Sequence, residues 1–162
     1  QMTMTTYDED LCRKIEPNVS TTAERFEVLK TLRDAGIPTV VWLSPILPFI
    51  NDNEENLVCI LNMCIEAKVR GIICFGMGVT LREGNREYFY EQLDRSFPGV
   101  KEKYVHTYGY QYMLDSPHNS YLMQIFHDTC EKHGIMHDNE QIFAYLSAFE
   151  EKENFKQLSL WD

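Results

Sequence analysis

The sequence predicts an α/β fold with three parallel strands in a small sheet and helices between and after them. Three observations carry this. Two segments about 35 residues apart share one pattern: a helical run, a tight stop and a short continuous apolar strand. Continuous apolar strands alternating with helices mark parallel strands buried on both faces. Gln1 to Thr6 alternates Met2 and Met4 with Thr3, Thr5 and Thr6, the period-two pattern of a strand.

The elements follow in order. After the first strand a short helix is expected over 8–15, capped by Asp8. A helix over 21–35 opens on Thr21-Thr22-Ala23-Glu24, a capping box, with Phe26, Leu29 and Leu32 on one face. Ala35-Gly36 stops it, and 37–43 is the second strand. The helix over 53–69 opens with Asp52 and Glu55 at N-cap and N3 spacing. Its stripe is Leu57, Ile60, Leu61, Cys64 and Ala67, a 3.6-residue period. Strand three covers 71–76, and a helix runs from about Gly84 to Phe97 before Pro98-Gly99. Ser116-Pro117 starts another, with Leu122, Ile125, Phe126, Thr129 and His133 inward and Gly134 as its stop. The last covers about 139–150, with Ile142, Tyr145, Leu146 and Phe149 on one side.

The order is therefore β-α-β-α-β-α-α-α, with an unpaired edge at the first strand. Right-handed crossovers place their helices on one face of the sheet. The other face then needs a cover: the terminal helices, a second copy, or a further part of the protein. The divisions are 1–98 for the α/β unit, 99–150 for a helical C-terminal extension and 151–162 for a polar tail carrying Leu158, Leu160 and Trp161.

With 162 residues, 44% hydrophobic and 25% charged, the chain has globular composition and the size of one ordinary domain. No stretch approaches the ~18 consecutive apolar residues of a membrane helix. The N-terminus has neither the basic nor the apolar region of a signal peptide. Fifteen Lys+Arg stand against 25 Asp+Glu, a net charge of −10. That balance argues against nucleic acid gripped by this chain alone, because a phosphate backbone needs clustered positive charge. The five cysteines are odd in number, have no C-x-x-C pair and sit largely in apolar runs, which points to a reducing, cytoplasmic compartment.

Parallel α/β folds bind ligands at the C-terminal ends of their strands. Here those ends are Thr5-Thr6-Tyr7-Asp8, the segment Ser44-Pro45 to Asp52, and Gly76-Met77-Gly78 to Asn85. Small and hydroxyl side chains there let backbone and ribose hydroxyls approach, so Thr5, Thr6, Ser44, Pro45, Gly76 and Gly78 are the candidate cofactor-binding residues; for the lone G-x-G of Gly76 and Gly78 the alternative is a turn that needs positive φ. Other chemistry is weaker. Cys130, His133 and His137 lack the four ligands of structural zinc, and Gly134 ends the helix between the histidines. Asp52 and Asp8 read as caps, leaving Glu83 as the carboxylate with no structural task. The cluster Tyr104, Tyr108, Tyr110 and Tyr112 reads as a cover for the open sheet or a partner surface, and Met4, Met63, Met113, Met123 and Met136 as core filler.

Three sets of residues together carry a family resemblance. Asp8-Glu9-Asp10-Leu11-Cys12-Arg13-Lys14-Ile15-Glu16-Pro17 precedes Ser20-Thr21-Thr22-Ala23-Glu24-Arg25-Phe26. Ala35-Gly36-Ile37-Pro38 runs into Leu43-Ser44-Pro45-Ile46-Leu47-Pro48. Gly76-Met77-Gly78 is followed by Arg82-Glu83-Gly84-Asn85-Arg86. Over roughly residues 1–110 the chain resembles the second half of the radical S-adenosylmethionine proteins grouped with spore photoproduct lyase. The resemblance implies half of a partial (β/α)6, TIM-like barrel, with 1–6, 37–43 and 71–76 as strands four to six and 1–98 as the half-barrel. It places Thr5 near the ribose of S-adenosylmethionine, Ser44 and Pro45 along its adenine and methionine side, and Glu16 with Arg25 as a supporting pair. It also implies a [4Fe–4S] cluster in the intact parent. The C-x-x-x-C-x-x-C loop that would hold it is absent, since the cysteines lie 47, 5, 10 and 56 residues apart. The expectation is a fragment with half a cofactor pocket, no cofactor of its own and no activity alone, because the hard chemistry belongs to the cofactor. The alternative is a non-catalytic half-barrel that self-associates through exposed sheet edges or pairs with a missing N-terminal half.

Overall fold

Three short strands, β1 (Met2–Met4), β2 (Val40–Leu43) and β3 (Gly71–Ile73), form one parallel sheet in the order β1-β2-β3 in a computed structural model that describes residues 1–148. Phe149 of the expected last helix and the tail 151–162 lie outside the described residues. Between the strands run α1 (Glu9–Ile15), α2 (Thr22–Asp34) and α3 (Glu54–Glu66). After β3 come β4 (Gly78–Thr80), α4 (Asn85–Ser96), α5 (Val100–Tyr108), β5 (Met113–Asp115), α6 (Asn119–His133) and α7 (Asn139–Ser147). Strands β4 and β5 pair antiparallel as a separate two-stranded sheet.

Local chemistry explains the starts. The Asp8 carboxylate accepts from the backbone N–H of Asp10 and Leu11, both at 2.9 Å, and caps α1. The Thr21–Glu24 capping box opens α2 with both reciprocal bonds present. At α3 the expected cap is corrected: Asn53 holds the position and accepts from Asn56 N–H at 2.9 Å. Asp52 turns inward and accepts from the Ser116 hydroxyl at 2.6 Å, tying the loop after β2 to the segment after β5. The second and third strands are shorter than expected. Pro38 has no N–H to give a ladder, and Gly76, at φ +122°, ends the extended run beyond β3.

The sheet divides two cores. Met4, Val41, Leu43 and Ile72 pack with Leu29 of α2, Ile60 of α3 and Phe126 of α6. On the opposite face Val40 and Ile73 meet Ile142, Tyr145 and Leu146 of α7. The terminal helix thus supplies a cover for the second face, yet Phe75 remains 71% exposed beside Trp42 and Phe143. His133, expected inward, is exposed. Cys130 takes the buried place one turn earlier.

A further core was not expected. Tyr104 and Tyr108 of α5 are buried with Leu81, Leu93 and Leu114, away from the parallel sheet, while Tyr110 is almost fully exposed. The aromatic cluster is therefore split between a core and a surface. Residues 99–115, expected as part of a helical extension, contribute β5 as well as α5. Arg86 fastens this unit: its guanidinium donates to the carbonyls of Leu81, Gly109, Tyr110 and Gln111.

Burial pushes the Cys64 and Cys130 thiols from 9.0 up to about 12, and the Tyr108 phenol from 10.0 to about 12. Folded groups of this kind stay protonated while the unfolded chain ionises, so above about pH 9 the unfolded state binds fewer protons. Stability is complete below that pH and falls as pH rises toward 12. The urea midpoint is expected to drop between about pH 9 and pH 11. A midpoint that holds level over that span would contradict the burial of these groups.

Candidate functional site

The loops after β2 and β3 form the site region, and a buried polar joint at the end of β1 fixes the first of them. The Thr5 carbonyl accepts from Asn51 Nδ2 at 2.7 Å and Asn56 Nδ2 at 3.1 Å. Asn51 Oδ1 also accepts from Leu47 N–H at 2.5 Å, which closes the loop after β2 on itself. The Thr5 hydroxyl donates to Glu16 Oε2 at 2.6 Å, and Glu16 receives Arg25 in a two-pronged pair at 3.0 and 3.2 Å. Arg25 also reaches the Thr3 carbonyl at 3.1 Å. Thr6 accepts from Asp8 N–H through its hydroxyl and from the Thr22 hydroxyl through its carbonyl. Thr5 and Thr6 are both fully buried, so they brace the loops and present no surface to a ligand.

The other four candidates meet. Ser44, Pro45, Gly76 and Gly78 line one open cleft of about 470 Å³ at the carboxyl ends of β2 and β3. Backbone geometry calls for glycine twice there. Gly76 lies at φ +122°, a region L side chains avoid. A Cβ on Gly78 would sit 2.6 Å from the Leu114 carbonyl oxygen, because β4 and β5 approach closely at the pair Gly78–Asp115. Between the glycines, Met77 is buried and anchored: its N–H donates to Asn119 Oδ1 at 2.8 Å and its carbonyl accepts from Ser116 N–H at 2.7 Å.

Phe75, Val79, Met113 and Asp115 also line the cleft. Among the described residues, no histidine, lysine, arginine or cysteine lines it. The arrangement offers apolar surface for a flat ring, closely approachable backbone, two hydroxyls from Ser44 and Thr80, and one negative charge. It is equipped to hold a ligand with a cationic centre more than to move protons.

The remaining sequence candidates stay apart. Glu83 is exposed beyond β4 and does not line the cleft. Cys130 is buried, His133 is exposed, and His137 meets the Ile135 carbonyl at 3.1 Å. An iron–sulfur cluster is held by cysteine thiolates converging on one point. Among the described residues no three histidine, cysteine, aspartate or glutamate side chains are grouped to hold a metal ion, so they do not fit such a cluster. Among the described residues, no helix is long and apolar enough to cross a membrane. Sequence reasoning missed Asp115 and Phe75, and it expected Met113 as core filler, whereas Met113 is 57% exposed on β5 and lines the cleft. The only trace of β5 is the alternation from Tyr112 to Ser116, with Leu114 inward.

No family model and no solved structure matches the chain. It is 30% identical over 101 residues to an uncharacterized protein of Mycobacterium bovis and to uncharacterized proteins of two Mycobacterium tuberculosis strains. The match takes in 62% of this chain, and the chain spans 29% of the length of these curated relatives.

Proposed function

We propose that this chain is the C-terminal half of a partial (β/α)6 barrel of the radical S-adenosylmethionine type. In that reading it supplies one side of the S-adenosylmethionine pocket, and the cluster ligands belong to another part of a longer protein. The observation that carries this is the convergence of Ser44, Pro45, Gly76 and Gly78, from two strand ends 32 residues apart at Ser44 and Gly76, in one cleft at the carboxyl edge of a parallel sheet. The order β1-β2-β3, with α2, α3 and α6 packed against one face, supports the half-barrel. Asp115 is complementary to the sulfonium and ammonium charges of S-adenosylmethionine. The greater length of the mycobacterial relatives supports a longer parent. In that parent the cofactor and cluster would supply radical chemistry on a substrate the cleft does not specify, and the isolated chain is expected to be inert.

Equilibrium dialysis with radiolabelled S-adenosylmethionine tests this. Saturable binding to the 162-residue chain is expected, with loss of binding in Gly78→Ala. The added Cβ must push β4 from β5, at a cost of about 1–3 kcal/mol by overpacking. Equal binding by wild type and the variant, or none by either, would overturn the assignment of the cleft.

A second reading, self-association, is favoured by the open side of β1, which pairs with β2 alone among the described residues. An exposed strand edge is a template for another chain. Light scattering is expected to report a dimer or larger species, and a monomer at every concentration would remove this reading.

A further inference from the structure

A second cavity, of about 320 Å³, lies beside the cleft and shares only Thr80 with it. That volume is at the lower end of the range for small-molecule sites. One wall is a single face of α4, where Tyr88, Phe89 and Leu93 supply apolar surface and Asn85, Gln92 and Ser96 supply polar groups at helical spacing. The opposite wall is the end of α1, with Ile15, Pro17 and Lys14. The floor is Leu47 and Leu81, both buried.

Three features define what the cavity offers a ligand. Its side-chain amides and hydroxyl are uncommitted: among the described residues, Asn85, Gln92 and Ser96 make no side-chain hydrogen bond within the chain. Among the described residues no carboxylate lines it, although the chain carries 25 acidic residues. Lys14 is its one cationic group and forms no ion pair among the described residues, whereas the adjacent Arg13 pairs with both Glu9 and Asp10.

We propose that this cavity between α1 and α4 binds a small amphipathic anion, with its alkyl or aryl body against Phe89 and Leu93 and its carboxylate or sulfonate at Lys14. The apolar body gives affinity by burial. The ammonium gives the headgroup a charge-assisted contact that a neutral or cationic analogue lacks. This reading stands on the cavity alone and does not depend on the cofactor proposed for the neighbouring cleft.

The test is a titration of the full chain with decanoate, decanol and decylamine, followed by ¹⁵N–¹H amide shifts and calorimetry. Decanoate is expected to shift the amides of Lys14, Phe89 and Gln92 and to bind about tenfold more tightly than decanol, the ratio a charged hydrogen bond supplies. Lys14→Glu should remove that advantage while leaving the fold intact, and Ser96→Trp should block all binding by filling the cavity. Equal affinity for decanoate and decanol, an unchanged Lys14→Glu variant, or no shift at these amides would overturn the proposal. The same amides shifting on dilution alone would assign the groove to a second copy of the chain and equally overturn it.

Discussion

Replacing Arg25 with methionine is expected to destabilise the fold by about 3–5 kcal/mol, the cost of leaving one member of a buried ion pair alone. The Arg25 side chain is 8% exposed and its partner Glu16 only 23%. The guanidinium satisfies both carboxylate oxygens of Glu16 and the Thr3 carbonyl of β1, while the Thr5 hydroxyl shares Glu16 Oε2. Removing it takes a donor from a carboxylate and from a β1 carbonyl together. The double variant Arg25→Met with Glu16→Leu should recover most of the loss, since matched apolar groups no longer bury a lone charge. Urea unfolding of the three proteins measures both numbers. A loss below about 1 kcal/mol for the single variant would class the pair with ordinary surface ion pairs and remove its bracing role.

Tyr104 gives effects of opposite sign. Its hydroxyl is buried with no hydrogen-bond partner among the described residues, and burial pushes its phenol well above the ordinary value. Its ring, however, sits at 5.3 to 6.4 Å from Phe49, Phe89, Tyr90 and Tyr108 and organises the core between α4 and α5. Tyr104→Phe therefore should raise stability by about 1 kcal/mol, by removing an unpaired polar group. Tyr104→Ala should lower it by about 3–5 kcal/mol, because it opens a large cavity. Thermal unfolding of both checks the pair. A Phe variant less stable than the parent would mean that the hydroxyl holds a buried water.

The parallel sheet and its helices were legible because each rests on a strong local signal. The Thr21–Glu24 box, the stripe from Leu57 to Cys64 and the apolar runs of β2 and β3 all act within one element. The Glu16–Arg25 pair was legible only through resemblance, since nothing in spacing links the end of α1 to the first turns of α2. What escaped depends on distant partners. Strands β4 and β5 have three residues each, and Gly78 meets Asp115 from far along the chain. Helix α5 carries its core residues as Tyr104 and Tyr108, a helical spacing masked by two further tyrosines beyond Gly109. Asp52 shows the same limit: an acid just before a helix suggests a cap, and only the Ser116 contact turns it inward.

The site was half legible for a related reason. Glycines at 76 and 78 and the small Ser44-Pro45 pair announce close backbone approach locally, and the fold brings them together. Thr5 and Thr6 follow the same rule for strand ends but are consumed by Glu16, Asp8 and the asparagines of neighbouring segments. Side chains that brace a loop and side chains that face a ligand have the same composition. Burial separates them.

The most direct measurement is a ¹⁵N–¹H titration of the chain with S-adenosylmethionine. Binding at the carboxyl edge of the sheet should shift the amides of Ser44, Gly76, Gly78, Thr80 and Asp115 in a saturable way, while those of Lys14 and Gln92 stay still. Shifts absent from the cleft, or confined to the cavity between α1 and α4, would contradict the half-pocket.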